Sequence, residues 1–147
     1  MSNWDIKLGE RLLRSAITKR YGGNPQGGIS HSAKTPNVNC FSDEDVKVKY
    51  GYDFDGWAEN NKYFYYTADG QYGDQKWSNG NRAVLNHVSD GRSLRLFTST
   101  GVVGRGSRAK LHMYIGEFKV DEDIPWFNEE ALDADLDELR QVIVFRL

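Results

Sequence analysis

Between Tyr50 and Trp77 the sequence places ten of its nineteen aromatic residues, with Asp53 and Asp55 in the same stretch. Aromatic faces at this density either fill a core or stack on a flat ligand such as a nucleobase. In an extended YFYYT segment Tyr63 and Tyr65 point one way and Phe64 and Tyr66 the other, so both faces cannot be the same core and one has another use. Asp53 and Asp55 are an acid/base pair only in principle, since two acids in a turn are common and no nucleophile with a base accompanies them. Cys40 sits among alternating apolar residues and reads as a buried thiol. One cysteine with three scattered histidines (His31, His87, His112) makes neither a disulfide nor a Cys-rich zinc site. Asn86-His87 alone is not a His-Asn-His nuclease site, and GxxxxGK[ST] is absent. The residues therefore predict no catalytic group, no metal and no cofactor in this chain.

Charge is distributed unevenly. The whole chain has 19 basic and 21 acidic residues, but residues 121–147 carry a net −7 and residues 1–120 a net +5. This asymmetry suits a basic working face with an acidic appendage, or simply a solvated acidic segment. Arg105, Arg108 and Lys110 lie in GVVGRGSRAK, which reads as a flexible loop reaching towards an anion.

The elements that must hold these residues follow from periodicity. Leu8, Leu12, Leu13, Ala16 and Ile17 predict an amphipathic helix ending at Gly22-Gly23. Residues 22–36, with four glycines and two prolines, predict a long loop. Strands are predicted at 37–41, 46–52, 62–67, 93–98, 111–120 and 142–147, and helices from Ser78 to Gly91 and over 129–140. Helices before, among and after the strands indicate an α+β domain on a curved, mostly antiparallel sheet forming an open barrel. A length of 147 residues fits one domain. The longest apolar run, Val142 to Phe145, is far too short to span a membrane, and the first twenty residues have no secretory h-region, so a cytoplasmic location is expected.

The order of motifs adds a family. In sequence order come GGNPQGGI, the Tyr-x-x-Asp element of Tyr50 and Asp53, YFYYTADG, DQKWSNGNRAV, GRSLRLF and YIGEFKV. Over about residues 20–120 this resembles the SRA (SET- and RING-associated) domain. Asp74-Gln75-Lys76 followed by Asn79, Asn81, Arg82 and Ala83 is the most specific part. The chain is most similar to the prokaryotic type found beside HNH nuclease domains in modification-dependent restriction endonucleases.

The resemblance implies a PUA-like SRA barrel and a reader of modified cytosine in double-stranded DNA. Tyr50 and Tyr66 would sandwich a flipped 5-methyl- or 5-hydroxymethylcytosine, since two stacked faces, each worth roughly 1–3 kcal/mol, offset the few kcal/mol of extraction. Asp53 would accept the cytosine N4 amine and Thr67 would line the pocket near C5. Lys76, Asn79, Asn81 and Arg82 would meet phosphates near a helix start. Where the eukaryotic pattern has a Gly after Tyr-Thr, this chain has Ala68, and the long finger loop is reduced to ADGQYG. Gln26 and His31 in the glycine-rich loop are then the candidates for filling the gap left by the base, with Arg105 and Arg108 adding phosphate contacts. The expected whole is an N-terminal recognition domain spanning 1–147, with cleavage in a downstream HNH domain and dimerisation through the full-length protein. The competing expectations are an RNA-binding or protein-interaction module on a similar barrel, and a small hydrolase.

Overall fold

The computed structural model describes residues 4–23, 28–32, 35–42, 56–58, 62–68, 74–77, 79–102, 110–132 and 139–147. In chain order they form β1 (Arg11–Leu13), α1 (Arg14–Tyr21), β2 (Ile29–His31), β3 (Asn37–Ser42), β4 (Gly56–Ala58), β5 (Tyr63–Thr67), α2 (Asn79–Leu85), β6 (Ser93–Val102), β7 (Lys110–Phe118), β8 (Trp126–Leu132) and β9 (Leu139–Arg146). Sheet one has the order β1-β7-β6-β3-β2 and sheet two the order β4-β5-β9-β8. Every pairing is antiparallel except β3 with β6, which run parallel from Asn37 opposite Ser93 to Ser42 opposite Thr98. The α+β, mostly antiparallel class holds, as two sheets that do not close into one.

Strand alternation assigns the two faces of sheet one. Val38, Cys40, Leu94 and Leu96 point into the main core, where they meet Phe64 and Tyr66 of β5, Val84 of α2 and Ile143 and Phe145 of β9. Phe41 and Phe97 point the other way and are covered by Ile17 and Tyr21 of α1, Leu12 of β1 and Trp4. On that second face Arg95, almost fully buried, donates to Tyr114 Oη (3.0 Å) and Asn37 Oδ1 (3.3 Å), pairs with Glu117 (3.5 Å) and lies 4.4 Å from the ring of Trp4. Burial pushes the Tyr114 phenol above its ordinary pKa, against the opposing pull of Arg95.

The helix predicted from Ser78 to Gly91 ends already at Leu85, with turns over 86–91, and three other predicted elements differ from those observed. The amphipathic helix begins only at Arg14, because Arg11–Leu13 pair in register with β7. Its end is as expected: Gly22, at φ 78°, closes the helix by donating to the Thr18 carbonyl at 2.8 Å. Gly23 has φ 97°, and a Cβ there would sit 2.1 Å from Ser30 Oγ. The loop predicted over 22–36 contains β2, fixed on β3 by pairs such as Ser30 with Asn39. The helix predicted over 129–140 is replaced at both ends by the β8–β9 pairing. Val142 and Val144 face one way and Ile143 and Phe145 the other, so β9 is buried on both faces. Such a strand needs a neighbour on each edge, and β8 supplies the outer one, with Trp126 turned to the main core and Phe127 to Val142, Val144 and Tyr65. The predicted strand over 46–52 lies outside the described residues.

His87 fastens the end of α2 to the rest. The buried imidazole joins the Arg92 carbonyl through Nδ1 (3.0 Å) and the Val120 N–H through Nε2 (3.3 Å). A carbonyl on one side and an N–H on the other fix the proton on Nδ1. His87→Ala should cost about 2–4 kcal/mol by orphaning both groups. That cost is expected as a fall in Tm of roughly 6–15 °C, followed by circular dichroism; a wild-type melting curve would rule out the bridge.

Candidate nucleic-acid interface

Tyr66 and Thr67 end β5, and both are buried. The Tyr66 hydroxyl is shared between the Gly28 carbonyl (2.8 Å) and the Phe41 carbonyl (3.1 Å), so the ring links β5 to the start of β2 and the end of β3. Only 2% of Tyr66 is exposed, and the face expected to stack on a base is enclosed by the core in this structure. Tyr50 and Asp53 lie outside the described residues, within a segment whose flanking strands are described. β3 of sheet one ends at Ser42, and β4 of sheet two begins at Gly56, in register with Tyr65. Ser42 follows Phe41, whose carbonyl accepts from the Tyr66 hydroxyl, and Gly56 pairs with the residue before Tyr66.

The aromatic segment uses both of its faces for packing. Phe64 and Tyr66 belong to the main core, while Tyr65 packs edge-on against Phe127 at 5.4 Å and Tyr63 lies 3.7 Å beneath the Arg146 guanidinium. The second use expected for one face is thus a second apolar cluster, made possible by β8, whose end overlaps the predicted helix over 129–140.

The Asp-Gln-Lys motif is a bracket. Gln75 Nε2 donates to the Ala68 carbonyl at 2.6 Å, and Gln75 Oε1 accepts from the Ile143 N–H at 2.7 Å. Asp74 Oδ1 accepts from the Gln141 N–H, and the Gln75 N–H donates to the Gln141 carbonyl. This segment therefore seals the gap between the ends of β5 and β9 immediately beyond Thr67. Ala68, which stands where the eukaryotic pattern has glycine, is fully buried in the same place.

The remaining candidates separate. Lys76 and Arg82 are exposed and available to an anion. Asn81 is not: it is 0% exposed, and its amide donates to the Lys76 carbonyl at 2.7 Å, holding the turn into α2. Asn79 opens α2, although its side chain lies outside the described residues. His31 lies not in a loop but at the end of β2, half-buried and in register with Val38. Gln26, Arg105 and Arg108 lie outside the described residues. Arg105 and Arg108 fall between Val102 and Lys110, the paired ends of β6 and β7. β6 runs four residues past Thr98, the partner of Ser42, so its end lies beyond the end of β3.

One basic residue at that end was missed. Arg14 opens α1 and holds its guanidinium 3.7 Å over the Phe41 ring, next to Ser42. In the sequence it was one charge among several between apolar helix positions, and only β1 pairing beside β7 brings it there.

The family model described as ScoMcrA-like, SRA domain matches residues 8–147. The chain belongs to the SRA domain family. Among curated proteins, none matches the sequence. Among solved structures, the sulfur binding domain and SRA domain of ScoMcrA complexed with phosphorothioated DNA is similar, with TM-score 0.68 and 25% identity over 97% of this chain and 39% of that one. The type IV phosphorothioation-dependent restriction endonuclease ScoMcrA is similar at TM-score 0.68 and 24% identity, and this SRA domain spans 27% of its chain. The SUVH5 SRA domain in a methylated CHH DNA complex shares the fold at TM-score 0.63 and 19% identity, over 96% of this chain and 86% of that one. This SRA domain thus spans well under half the length of the ScoMcrA chains it resembles.

Gln75 makes the bracket directly testable. Gln75→Ala should destabilise the SRA domain by about 2–4 kcal/mol, since two buried backbone groups lose their partner. Amide hydrogen exchange should then accelerate at Ile143 in particular; unchanged protection there would show that Gln75 is not what holds β5 to β9.

Proposed function

We propose that this SRA domain binds modified double-stranded DNA, and that its target is a 5-methyl- or 5-hydroxymethylcytosine flipped from the duplex. The match of the ScoMcrA-like SRA model over residues 8–147 carries this reading. Structural relatives complexed with methylated and phosphorothioated DNA support it. Tyr50 and Asp53 then act from the segment between Ser42 and Gly56, with Tyr66 and Thr67 forming the opposite wall. Since the Tyr66 ring is enclosed, admitting a base against it requires that ring to be uncovered, and a base without enough contacts to offset this will not enter. Arg14 beside the end of β3, and Arg105 and Arg108 from the segment that joins β6 to β7 in the sequence, with Lys76 and Arg82, supply phosphate contacts that set register without reading sequence. Within a larger cytoplasmic protein the domain would direct a restriction endonuclease whose cutting belongs to a separate HNH domain.

A second reading comes from the ScoMcrA complex with phosphorothioated DNA, where a sulfur binding domain accompanies the SRA domain. The two are separated by anisotropy titrations of one duplex carrying cytosine, 5-methylcytosine, 5-hydroxymethylcytosine or a single phosphorothioate linkage, at fixed salt. Tighter binding to a C5-modified duplex is expected. A preference for phosphorothioate alone would favour the second reading, and equal binding to all four would exclude both.

Asp53→Ala should reduce the preference for modified cytosine by tenfold or more, on the order of one hydrogen bond to a charged group, without changing the circular dichroism spectrum. Tyr66→Phe is the informative change at Tyr66, because alanine there would also empty the core. Arg105→Ala should weaken all duplexes alike and reduce the slope of log K against log salt by about 0.9; an unchanged slope would remove Arg105 from the interface.

A further inference from the structure

On the outside of α2 an open depression of about 370 Å³ is lined by Trp77, Arg82, Leu85, Asn86 and Trp126. Its volume falls within the roughly 300–1,000 Å³ of small-ligand pockets. The two half-buried indoles meet edge to face, with centroids 4.9 Å apart and planes at 73°, and Phe145 supports Trp77 from the core at 5.9 Å. A right-angled pair of supported rings offers one face for stacking and a wall beside it. Arg82 is exposed and forms no ion pair among the described residues, and exposed Lys76 precedes Trp77. Asn86, also exposed, presents an amide donor and acceptor. Of the acids on the neighbouring segment, Asp121 is engaged by Arg146 and by the Ile124 N–H. Glu130 lies four residues along β8 from Trp126, about 13 Å by strand rise.

We propose that this depression is a second nucleotide site, which takes one unpaired nucleotide of a DNA strand, with its base stacked on the tryptophans, its edge on Asn86 and its phosphate on Arg82. A cationic ligand is disfavoured by Arg82, and a purely apolar one by Asn86. The proposal rests on the reading of the domain as a DNA binder and shares Arg82 with its duplex contacts, but its stacking surface, Trp77 and Trp126, lies apart from the Tyr66 end of β5. Its use would be to hold a displaced base or a single-stranded end beside the duplex, adding affinity that is independent of cytosine modification.

The test has two parts. Titrating 5′-phosphorylated trithymidylate should quench intrinsic tryptophan fluorescence, with Arg82→Gln and Asn86→Ala, both surface changes, weakening the response, the former by about tenfold. A duplex with a two-nucleotide single-stranded overhang should bind more tightly than its blunt counterpart, and Trp126→Ala should abolish that ratio; if this variant unfolds, the two surface variants decide. Because the ratio is taken at equal modification, loss of modified-cytosine preference with the ratio intact would sink the modified-cytosine reading and leave the second nucleotide site standing. No quenching by trithymidylate, quenching unaffected by Arg82→Gln, or a response to a proline-rich peptide but not to the trinucleotide would each overturn the nucleotide site.

Discussion

Strand β9 is the member on which the rest of the fold depends. Its VIVF run has no polar face, so it is stable only with apolar cover above and below and a hydrogen-bonding neighbour on each edge. Sheet two provides the edges through β5 and β8, and the main core and the Tyr65–Phe127 cluster provide the covers. With β9 central, Ile143 and Phe145 face Val38, Cys40, Leu94 and Leu96, and the two sheets are held together through one shared core.

That arrangement determines where a DNA-reading surface can lie. The parallel pairing of β3 and β6 sets Ser42 opposite Thr98, and β6 continues beyond that pair to Val102. The shared core brings Tyr66 to the Gly28 and Phe41 carbonyls. The described end of β3 therefore lies between the Tyr66 hydroxyl on one face of sheet one and the Arg14 guanidinium on the other. The strands fix the anchor points, which lets the connections vary in length and composition without disturbing the core.

Polar motif residues have a mostly structural part in this scaffold. Gln75 bridges β5 and β9, Asn81 holds the turn before α2, and His87 joins α2 to the end of β7. A buried backbone group without a partner is costly, so a side chain that satisfies one at a strand end is as constrained as a ligand contact. Exposed Lys76 and Arg82, the neighbours of Gln75 and Asn81, are thereby presented from a rigid base.

By itself the sequence determined the α+β class, the strands 37–41, 62–67, 93–98, 111–120 and 142–147, the Gly22 helix end and the family, because each rests on local periodicity or on motif order. It did not separate contact from bracket within one motif: Gln75, Asn81 and Lys76 are all polar residues in a turn, and only their partners distinguish them. It also did not reveal that Tyr65 has a partner in Phe127, since acidic residues over 129–138 resemble a solvated helix until β9 requires a neighbour. Arg14 over Phe41 and the Trp77–Trp126 corner join residues distant along the chain. Tertiary structure decided those placements, because hydrogen-bond satisfaction and burial are properties of surroundings that no local pattern encodes.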